Sequence, residues 1–325
     1  MKAIVYDRYG PADVLRLADI DKPEPGDDEV LVRVHAAGVD YGVWHLMTGL
    51  PLPVRAAVGL RTPRNPVLGR DVAGTVEALG ADVTKFRVGD EVFGTCGGTF
   101  AEYACVPVAR CVPKPANLTL EQAAAVPVSG LTALHSLRDA VRTGDRVLVI
   151  GAGGGVGTFA VQLAKAYGAS VTGVCSTGKV DLVRSIGADD VVDHTRTDFA
   201  DGTRHWDLIV DTGGLRRLSH LRRALTPKGR LIIVGGEGGG RWLGGMDRTL
   251  RAILLSPFVS QRLGGLISVE RGEDIEELRA LIEAGKLTPV VDRTFPLADA
   301  AKAIRYLAEG RARGKVVLTV REQSF

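Results

Sequence analysis

A glycine-rich turn is the part of the sequence whose residue types and spacing most directly imply chemistry. The strand-like run RVLVI (146–150) leads into GAGGGVG (151–157) and then into a helical stretch, TFAVQLAKAYGA. In the G-x-G-x-x-G register that ends at Gly157, the first position is Ala152, so the match is A-x-G-x-x-G. Glycines at such a turn let the backbone approach a pyrophosphate, whose charge lies at the positive N-terminal end of the helix. The turn predicts a dinucleotide site that includes Gly153, Gly154, Gly155 and Val156; its alternative is a turn that serves only to pack strand against helix.

Polar residues follow the next strand, SVTGVC (170–175), at the place where an acidic residue binds the adenosine ribose of NAD. Here the residues are Ser176, Thr177 and Lys179, and no acidic residue comes before Asp181. A carboxylate would repel a 2′-phosphate, whereas hydroxyls and an ammonium can donate hydrogen bonds to it. The sequence therefore favours NADPH over NADH. If this segment is an ordinary polar loop, it leaves the preference open.

The ends of the later strands supply the remaining cofactor candidates. His194 follows the strand-like ADDVVD and is a candidate neighbour of the adenine, with a surface histidine as the alternative. Ligands of open α/β sheets bind beyond the carboxyl ends of the strands. The same argument adds four residues to the predicted cofactor site: Thr212, Gly213, Val234 and Gly235.

Two different sequence patterns, one in each part of the chain, predict the elements that position these residues. Residues 1–113 read as short β runs broken by Gly and Pro, which suggests a small barrel or sandwich, with a long loop at 48–67. Thr119 and Gln122 have the spacing of a helix capping box, and beyond them apolar strands alternate with amphipathic helices, as in a parallel sheet with helices on both faces. We expect a first domain at 1–122, a nucleotide-binding domain at 123–260, and a segment at 261–325 that is too short to fold alone and packs on the first domain.

Composition excludes several classes of protein. The 325 residues carry 41 basic and 38 acidic side chains, a formal charge of +3, so no field of the kind seen in nucleic-acid binders is expected. Four cysteines without a C-x-x-C pair indicate a reduced setting. The sequence shows neither a signal-like N-terminus nor an apolar run of about 18 residues. We expect a cytoplasmic protein that binds neither membrane nor nucleic acid.

Taken together, these motifs resemble the medium-chain dehydrogenase/reductase superfamily, specifically its zinc-independent quinone oxidoreductase branch, which includes zeta-crystallin-like proteins. The matching segments follow the family's order along almost the whole chain: VLGRDVAGTVEALGADVTKFRVGDEVFG, GTFAEYACVP, AAAVPVSGLTAL, VLVIGAGGGVGTFAVQLAKAYGA and GRARGKVVLTV. The resemblance implies a GroES-like β-rich catalytic domain built from both ends of the chain and a Rossmann doubly wound domain in the middle. It also implies cofactor contacts from Val128, Ser129 and Thr132, and from the terminal Lys315.

The resemblance also supplies a test for zinc. Alcohol dehydrogenases of the family carry a G-H-E motif, and the matching residues here are Gly69, Arg70 and Asp71, so that Arg70 replaces a histidine ligand. Cysteine is missing near 39–40, and neither Cys nor Asp occurs at 126–132, where the other ligands would lie. A catalytic zinc needs three protein ligands, so we expect no zinc. The spacing of Cys96, Cys105 and Cys111 also differs from that of a structural zinc lobe, and small buried hydrophobic residues are expected there.

Without a Lewis acid, oxidation of a simple alcohol is disfavoured, and hydride transfer to an acceptor already activated by conjugation is expected. The acceptor is then a quinone or an α,β-unsaturated carbonyl compound that is attacked at its β-carbon. Candidate residues lie in VDYGVWHLMTG, where Tyr41 or His45 could hydrogen-bond a carbonyl oxygen. The same segment supplies Asp40, Trp44 and Met47 as pocket residues, although Trp44 and Met47 could equally belong to the core.

Two other functions compete with this one, and the oligomeric state is open. An enoyl-thioester reductase needs a basic groove for a phosphate of its carrier, for which Arg55, Arg61 and Arg64 are candidates. A protein that binds NADPH without turnover would act as a sensor or scaffold. Relatives also form homodimers through edge strands of the nucleotide domain, and the apolar stretch WLGGMDRTLRAILL after residue 240 could supply either that interface or a cap on the substrate pocket.

Overall fold

Two units make up the chain, and each has its own sheet. A computed structural model describes residues 1–235, 240–266 and 268–320. The first unit contains Met1–Leu131, Val269–Gly285 and the described residues from Pro289 onward, and the second contains the described residues of Thr132–Ser268 with Lys286–Thr288. No helix in the described ranges is long and apolar enough to cross a membrane.

The described residues contain fifteen strands, numbered here in chain order. They are β1 (Lys2–Val5), β2 (Arg16–Asp19), β3 (Glu29–Val39), β4 (Asp71–Leu79), β5 (Glu91–Thr95), β6 (Tyr103–Pro107), β7 (Cys111–Pro113), β8 (Arg146–Ile150), β9 (Ser170–Cys175), β10 (Asp190–Asp193), β11 (Trp206–Asp211), β12 (Leu225–Ile233), β13 (Arg262–Gly265), β14 (Val291–Pro296) and β15 (Lys315–Thr319).

The same residues contain ten α-helices. They are α1 (Tyr41–Thr48), α2 (Val54–Val58), α3 (Leu120–Ala124), α4 (Pro127–Leu137), α5 (Gly155–Ala166), α6 (Val180–Ser185), α7 (Leu218–Arg223), α8 (Met246–Leu255), α9 (Gly272–Glu283) and α10 (Ala300–Ala308).

The second unit is a doubly wound parallel sheet. Its strands lie in the order β10-β9-β8-β11-β12-β13, and every neighbouring pair is parallel. The order reverses at β8, and such a reversal is where nucleotides bind in this class of sheet. Apolar runs such as VLVI of β8 are buried because helices cover parallel sheets on both faces.

The first unit is β-rich and uses both ends of the chain. Its larger sheet has the order β14-β15-β3-β4-β5-β7, with β6 also paired to β3. The C-terminal strand β15 lies antiparallel to β3, with Val316 opposite Val39. The predicted fold class, a GroES-like unit plus a Rossmann unit, is therefore confirmed.

The unit boundaries differ from the predicted domain limits at 122 and 260. Helix α3 begins with the predicted capping box, in which the Thr119 side chain accepts from the backbone N–H of Gln122, but it packs on β3 and β4 of the first unit. The second unit also extends past residue 260, because β13 adds to its sheet by pairing with β12. The predicted loop at 48–67 contains the end of α1 and all of α2, so it is not irregular throughout.

A buried ion pair joins the two ends of the chain within the first unit. The ammonium of Lys315 lies 3.2 Å from Asp71 Oδ2 and donates to Ser129 Oγ at 3.0 Å, and the side chains of Lys315 and Asp71 are 1% and 0% exposed. Asp71 Oδ1 accepts from the backbone N–H of Val128 at 2.8 Å. Burial raises the pKa of the Asp71 carboxyl to about 6, and the ammonium of Lys315 opposes that shift. The pair therefore ties β15, β4 and α4 together.

Removing one partner of the Lys315–Asp71 pair should lower the stability of the protein strongly. Lys315→Met leaves the Asp71 carboxylate buried without its cation, and we expect it to lower the free energy of unfolding by about 3–5 kcal/mol. Asp71→Asn combined with Lys315→Met should recover most of that loss, because the amide oxygen still accepts from Val128. Urea denaturation measures both, with Lys302→Met on the surface of α10 as a control worth less than about 1 kcal/mol. Additive losses in the double variant would contradict a coupled pair.

Candidate functional site

The glycine turn has the geometry that a pyrophosphate requires. Gly151 has a φ of +82°, a conformation that glycine adopts without strain, so the turn requires glycine at residue 151. The next residue, Ala152, is fully buried and stands at the first position of the motif. A Cβ on Gly157 would lie 2.1 Å from the carbonyl oxygen of Gly151, so α5 approaches the turn as closely as its backbone allows. The alanine in the motif is therefore tolerated, and the glycine at its end is required.

The predicted phosphate-binding residues lie at the start of α5. Gly154 is the extended N-cap residue, and the helix begins at Gly155, so the first-turn N–H groups of this helix have no acceptors within it. The aliphatic stem of Lys179 lies over the turn, since a Cβ on Gly153 would be 2.8 Å from its Cδ. The positive end of the helix dipole and the stem of Lys179 thus lie in the same small region of the second unit.

An acidic residue that the sequence analysis overlooked lies beside the predicted 2′-phosphate site. The hydroxyl of Thr177 donates to Asp193 Oδ2 at 2.6 Å, and Thr195 donates to Asp193 Oδ1 through its hydroxyl and its backbone N–H. The hydroxyl bonds from Thr177 and Thr195 lower the pKa of Asp193 to about 2, so it is ionised at neutral pH. Thr177 is therefore already engaged by Asp193, whereas Ser176 and Lys179 stay candidates for a 2′-phosphate on the sequence argument. Asp193 could have been considered earlier, because it ends the strand next to β9.

The other predicted cofactor residues gather at the same edge of the sheet. Strand ends align there, with Asp193 beside Cys175 and Asp211 beside both Ile150 and Ile233. The backbone N–H of His194 donates to the Cys175 carbonyl, and its side chain is exposed. The remaining predicted residues follow these strand ends directly: Thr212, Gly213, Val234 and Gly235. The Thr212 hydroxyl donates to the Ile150 carbonyl at 2.8 Å, which places it against the glycine turn.

An arginine on α8 completes this edge and was not predicted. Arg248 Nη2 donates to the fully buried Asp211 at 2.8 Å and to the Gly235 carbonyl at 3.4 Å. Asp211 Oδ1 in turn accepts from the backbone N–H of Gly214. The pair holds the turns after β11 and β12 in place. No local pattern predicts this pair, because Arg248 lies 37 residues from Asp211 in the chain.

The candidate acceptor residues of the first unit lie on α1 and before it. Asp40 is the N-cap residue of α1, where Oδ1 accepts from the Val43 N–H at 3.0 Å. Its Oδ2 is buried without a hydrogen-bond partner in the described part of the chain. The Tyr41 hydroxyl donates to the Leu307 carbonyl at 3.2 Å, and His45 Nδ1 donates to the Leu50 carbonyl at 2.6 Å. Both predicted carbonyl-binding groups therefore already have backbone acceptors.

The two apolar candidates on α1 differ. Met47 is 1% exposed and belongs to the hydrophobic core of the first unit, so the prediction that it lines a pocket is wrong. Trp44 is half-buried, packs on that core, and meets the His45 ring edge-on at 5.1 Å. Helical spacing explains the difference, because residues 43 and 47 face the core together.

An arginine stands where the resemblance would place a zinc ligand. Arg70 Nη2 donates to Glu270, whose other oxygen lies 3.7 Å from Arg110 Nη1. Burial lowers the pKa of Arg70, but the negative charges of Asp40, Glu270 and Asp71 outweigh this and raise it. A permanent cation at this position repels a metal ion, so the residues present do not fit zinc. Glu270 was not predicted, because it is 200 residues away in sequence.

Other donors suitable for a metal do not cluster either. Within residues 1–235, 240–266 and 268–320, no group of three or more His, Cys, Asp or Glu side chains could hold an ion. Cys96 and Cys111 are buried, and burial raises the pKa of Cys111 to about 12. Cys105 is only partly buried, and its thiol donates to the Glu24 carbonyl. These thiols remain protonated and act as small side chains rather than as ligands.

The residues that the resemblance linked to the cofactor lie in both units. Val128 and Ser129 belong to the first unit and are tied to Asp71 and Lys315 as described above. Lys315 is fully buried, and its ammonium is held by Asp71 and Ser129, so within this structure it is a structural residue and not a surface donor. Thr132 is half-buried on α4 in the second unit.

The basic residues of segment 48–67 do not form the groove that a thioester carrier would need. Arg55 donates to the Gly49 carbonyl at 3.0 Å and lies over the Tyr9 ring at 4.4 Å, and Arg64 donates to the Ala57 carbonyl. Both side chains therefore hold the segment itself, and the side chain of Arg61 is exposed. This weakens the argument for an enoyl-thioester reductase.

Two family models match the chain in agreement with the two units. An "Alcohol dehydrogenase GroES-like domain" matches residues 26–116, and a "Zinc-binding dehydrogenase" model matches residues 186–318. These define a two-domain dehydrogenase with a GroES-like unit and a nucleotide-binding unit.

Individual relatives narrow the class. The chain is 33% identical over 338 residues to the NADPH-dependent alkenal/one oxidoreductase of Arabidopsis thaliana chloroplasts, covering 98% of this chain and 79% of the relative. It resembles the solved quinone oxidoreductase from Coxiella burnetii with a TM-score of 0.83 and 30% identity, over 99% of both chains. A structure described as an NAD-dependent alcohol dehydrogenase gives a TM-score of 0.84 and 32% identity, over 99% of this chain and 100% of that one. The chain belongs to the medium-chain dehydrogenase/reductase superfamily, in its quinone oxidoreductase branch.

The close approach at Gly157 gives a test of the nucleotide site. Gly157→Ala places a methyl group against the Gly151 carbonyl, so we expect the melting temperature to fall by several degrees and binding of NADPH to be lost. Gly264→Ala in β13 is the matched control, because a Cβ there meets nothing within 4 Å. Calorimetric titration with NADPH and thermal melting measure both effects. Normal NADPH affinity in Gly157→Ala would show that the turn does not bind the dinucleotide.

Proposed function

We propose that the protein is a zinc-independent, NADPH-dependent oxidoreductase that transfers hydride to a quinone or to the β-carbon of an α,β-unsaturated carbonyl compound. The observation that carries this proposal is the guanidinium of Arg70, which stands where the resemblance places a zinc ligand and is paired with Glu270. The glycine turn before α5 supports a dinucleotide as the cofactor. The relatives named alkenal/one and quinone oxidoreductase support the same substrate class.

The residues of the second unit fit a dinucleotide, which when bound supplies a hydride. The N–H groups at the start of α5 would donate to its pyrophosphate, and the helix dipole would stabilise the negative charge there. Ser176 and Lys179 would hold a 2′-phosphate. Thr212, Gly213, Val234 and Gly235 would line the same edge of the sheet, with the Asp211–Arg248 pair fixing their turns.

The choice of acceptor follows from the electrostatics of the first unit. Ionising a simple alcohol requires a Lewis acid or a strong base near its oxygen, and the donor set at Arg70 does not fit zinc. A conjugated acceptor needs only hydride delivery and stabilisation of the charge that develops on its oxygen, while water can supply the proton. Alcohol oxidation, suggested by the name of one structural neighbour, is therefore not proposed.

An acceptor panel tests the proposed function. We expect NADPH oxidation at 340 nm with a quinone or a short enone, slower reaction with a 2-enal and little with crotonyl-CoA, and no loss of rate after dialysis against a chelator. NADH run in parallel should give a lower kcat/KM, because it lacks the phosphate that Ser176 and Lys179 would bind. The metal content of the protein is measured on the same sample.

The other outcomes select among the alternatives. Preference for crotonyl-CoA would favour an enoyl-thioester reductase, and saturable NADPH binding without any turnover would favour a sensor or scaffold. Stoichiometric zinc with alcohol oxidation would contradict the proposal outright.

Cofactor preference gives a second test at a single side chain. Lys179→Ala should lower NADPH affinity by about 10- to 100-fold and NADH affinity much less, because a charge-assisted hydrogen bond of about 1.5–3 kcal/mol is lost only with the 2′-phosphate. Lys228→Ala, an exposed lysine of β12 at the far end of the strand, is the control. Equal losses for both cofactors would place Lys179 at the pyrophosphate instead.

A homodimer and a cytoplasmic location complete the proposal. Strand β13 is an edge of the six-stranded sheet, and apolar side chains of the neighbouring α8, such as Leu250, Ile253 and Leu254, are about half exposed or more. An open edge strand beside apolar side chains supports self-association. The four free cysteines support a reducing compartment.

A further inference from the structure

Reduction of an enone places negative charge on its carbonyl oxygen, and that oxygen needs a donor that is already in position. Tyr41 and His45 were the sequence candidates, but each donates to a backbone carbonyl. Redirecting either of them would leave a carbonyl oxygen without its partner. Another donor is therefore needed near the first turn of α1, and the guanidinium of Arg70 lies against that turn at Gly42.

The guanidinium of Arg70 lies against the first turn of α1. A Cβ on Gly42 would be 2.2 Å from Arg70 Nη1 and 2.7 Å from Asp40 Oδ1, so the absence of a side chain at residue 42 makes room for the guanidinium. Gly42 lies between Tyr41 and Val43 in the segment predicted to surround the acceptor. Arg70 thus reaches the same place as the predicted acceptor residues, from the chain just before β4.

Its charge is fixed and partly desolvated. The Arg70 side chain is 33% exposed, whereas its partner Glu270 is 17% exposed. The net effect of Asp40, Glu270 and Asp71 is a raised pKa, so the guanidinium keeps its charge at any working pH. A cation in such surroundings acts more strongly on a nearby oxygen than one in water does.

One arm of the guanidinium is anchored, and the others remain available. Nη2 donates to Glu270, which Arg110 also approaches. For Nη1 and Nε no acceptor is found in the described part of the chain, and neither is a buried unsatisfied atom. A planar group held by one arm presents its remaining N–H donors in a fixed direction.

We propose that Arg70 is a catalytic residue that donates a hydrogen bond from Nη1 to the carbonyl oxygen of the acceptor, with Glu270 holding it in position; this rests on the proposed function. A bound dihydronicotinamide would supply the hydride for the new C–H bond at the β-carbon of the enone. The electrons of the C=C bond shift to give an enolate, whose oxygen charge Arg70 stabilises without giving up a proton. Water then protonates the α-carbon, so the acceptor is reduced and the dinucleotide oxidised.

Steady-state kinetics with NADPH and a short enone test the role of Arg70. Arg70→Gln should lower kcat by about 100- to 1000-fold, the range for loss of one oxyanion donor, while the Kd for NADPH is unchanged. Arg70→Lys keeps the positive charge but loses the planar guanidinium, so its kcat should lie between those of the wild type and Arg70→Gln. Millimolar guanidinium should restore part of the activity of Arg70→Ala, as a purely structural role would not allow. Arg16→Gln, at an exposed arginine of β2 in the first unit, is the control and should leave kcat near normal.

A binding measurement keeps this inference separate from the proposed function. 4-Nitrophenol, whose phenolate oxygen mimics an enolate, should bind the protein with a lowered pKa, and Arg70→Gln should abolish the shift in its absorbance titration. Turnover by the wild type with an unchanged kcat in Arg70→Gln would overturn the inference and leave the function standing. A shift in the pKa of 4-nitrophenol that depends on Arg70, found without any turnover, would support the inference and contradict the proposed function. Failure of the probe to bind, or a shift that Arg70→Gln leaves in place, would show that Arg70 forms no oxyanion site.

Discussion

The buried pair of Lys315 and Asp71 is the interaction on which the first unit depends. An ammonium with 1% exposure is stable only beside a carboxylate, and Asp71 meets that need while also accepting the Val128 N–H. Strand β15 comes from the C-terminus and β4 from the N-terminal part, so the pair joins distant parts of the sequence. Asp71 cannot move without breaking both bonds, and its neighbour Arg70 is held in a defined place as a result.

Arg70 lies next to Asp71 in the chain and links the Lys315–Asp71 pair to the candidate acceptor site. The two residues are adjacent in the chain but serve opposite needs, since Asp71 is sealed in the interior and Arg70 keeps a third of its side chain exposed. Arg70, Arg110 and Lys315 face Asp40, Asp71 and Glu270, so the positive and negative charges balance. In the function proposed above, fixed charges of this kind take the place of a metal ion in stabilising charge on the acceptor.

The second unit presents mainly backbone groups at its candidate site, in contrast to the charged side chains of the first unit. Its parallel strands end at one edge, where a tight turn at Gly151 and the start of α5 expose N–H groups. Lys179 and the Asp211–Arg248 pair add charge near these turns, the first by lying over Gly153 and the second by fixing neighbouring loops. The carboxylate of Asp193 lies beside Thr177, so a negative charge already lies next to the segment proposed to bind a 2′-phosphate.

Local patterns were enough to predict the fold class, the glycine turn, the capping box at Thr119 and the strand ends that meet at one edge of the parallel sheet. Each of these depends on residues close together in the sequence, where periodicity and backbone conformation leave a direct trace. The sequence could not show that Met47 faces the core, that Tyr41 and His45 already have backbone acceptors, or that Thr177 binds Asp193. It also could not pair Arg70 with Glu270 or Arg248 with Asp211. Those choices depend on which distant side chains meet once the sheets form, and a charged residue carries no local mark of its partner; only the tertiary structure decided them.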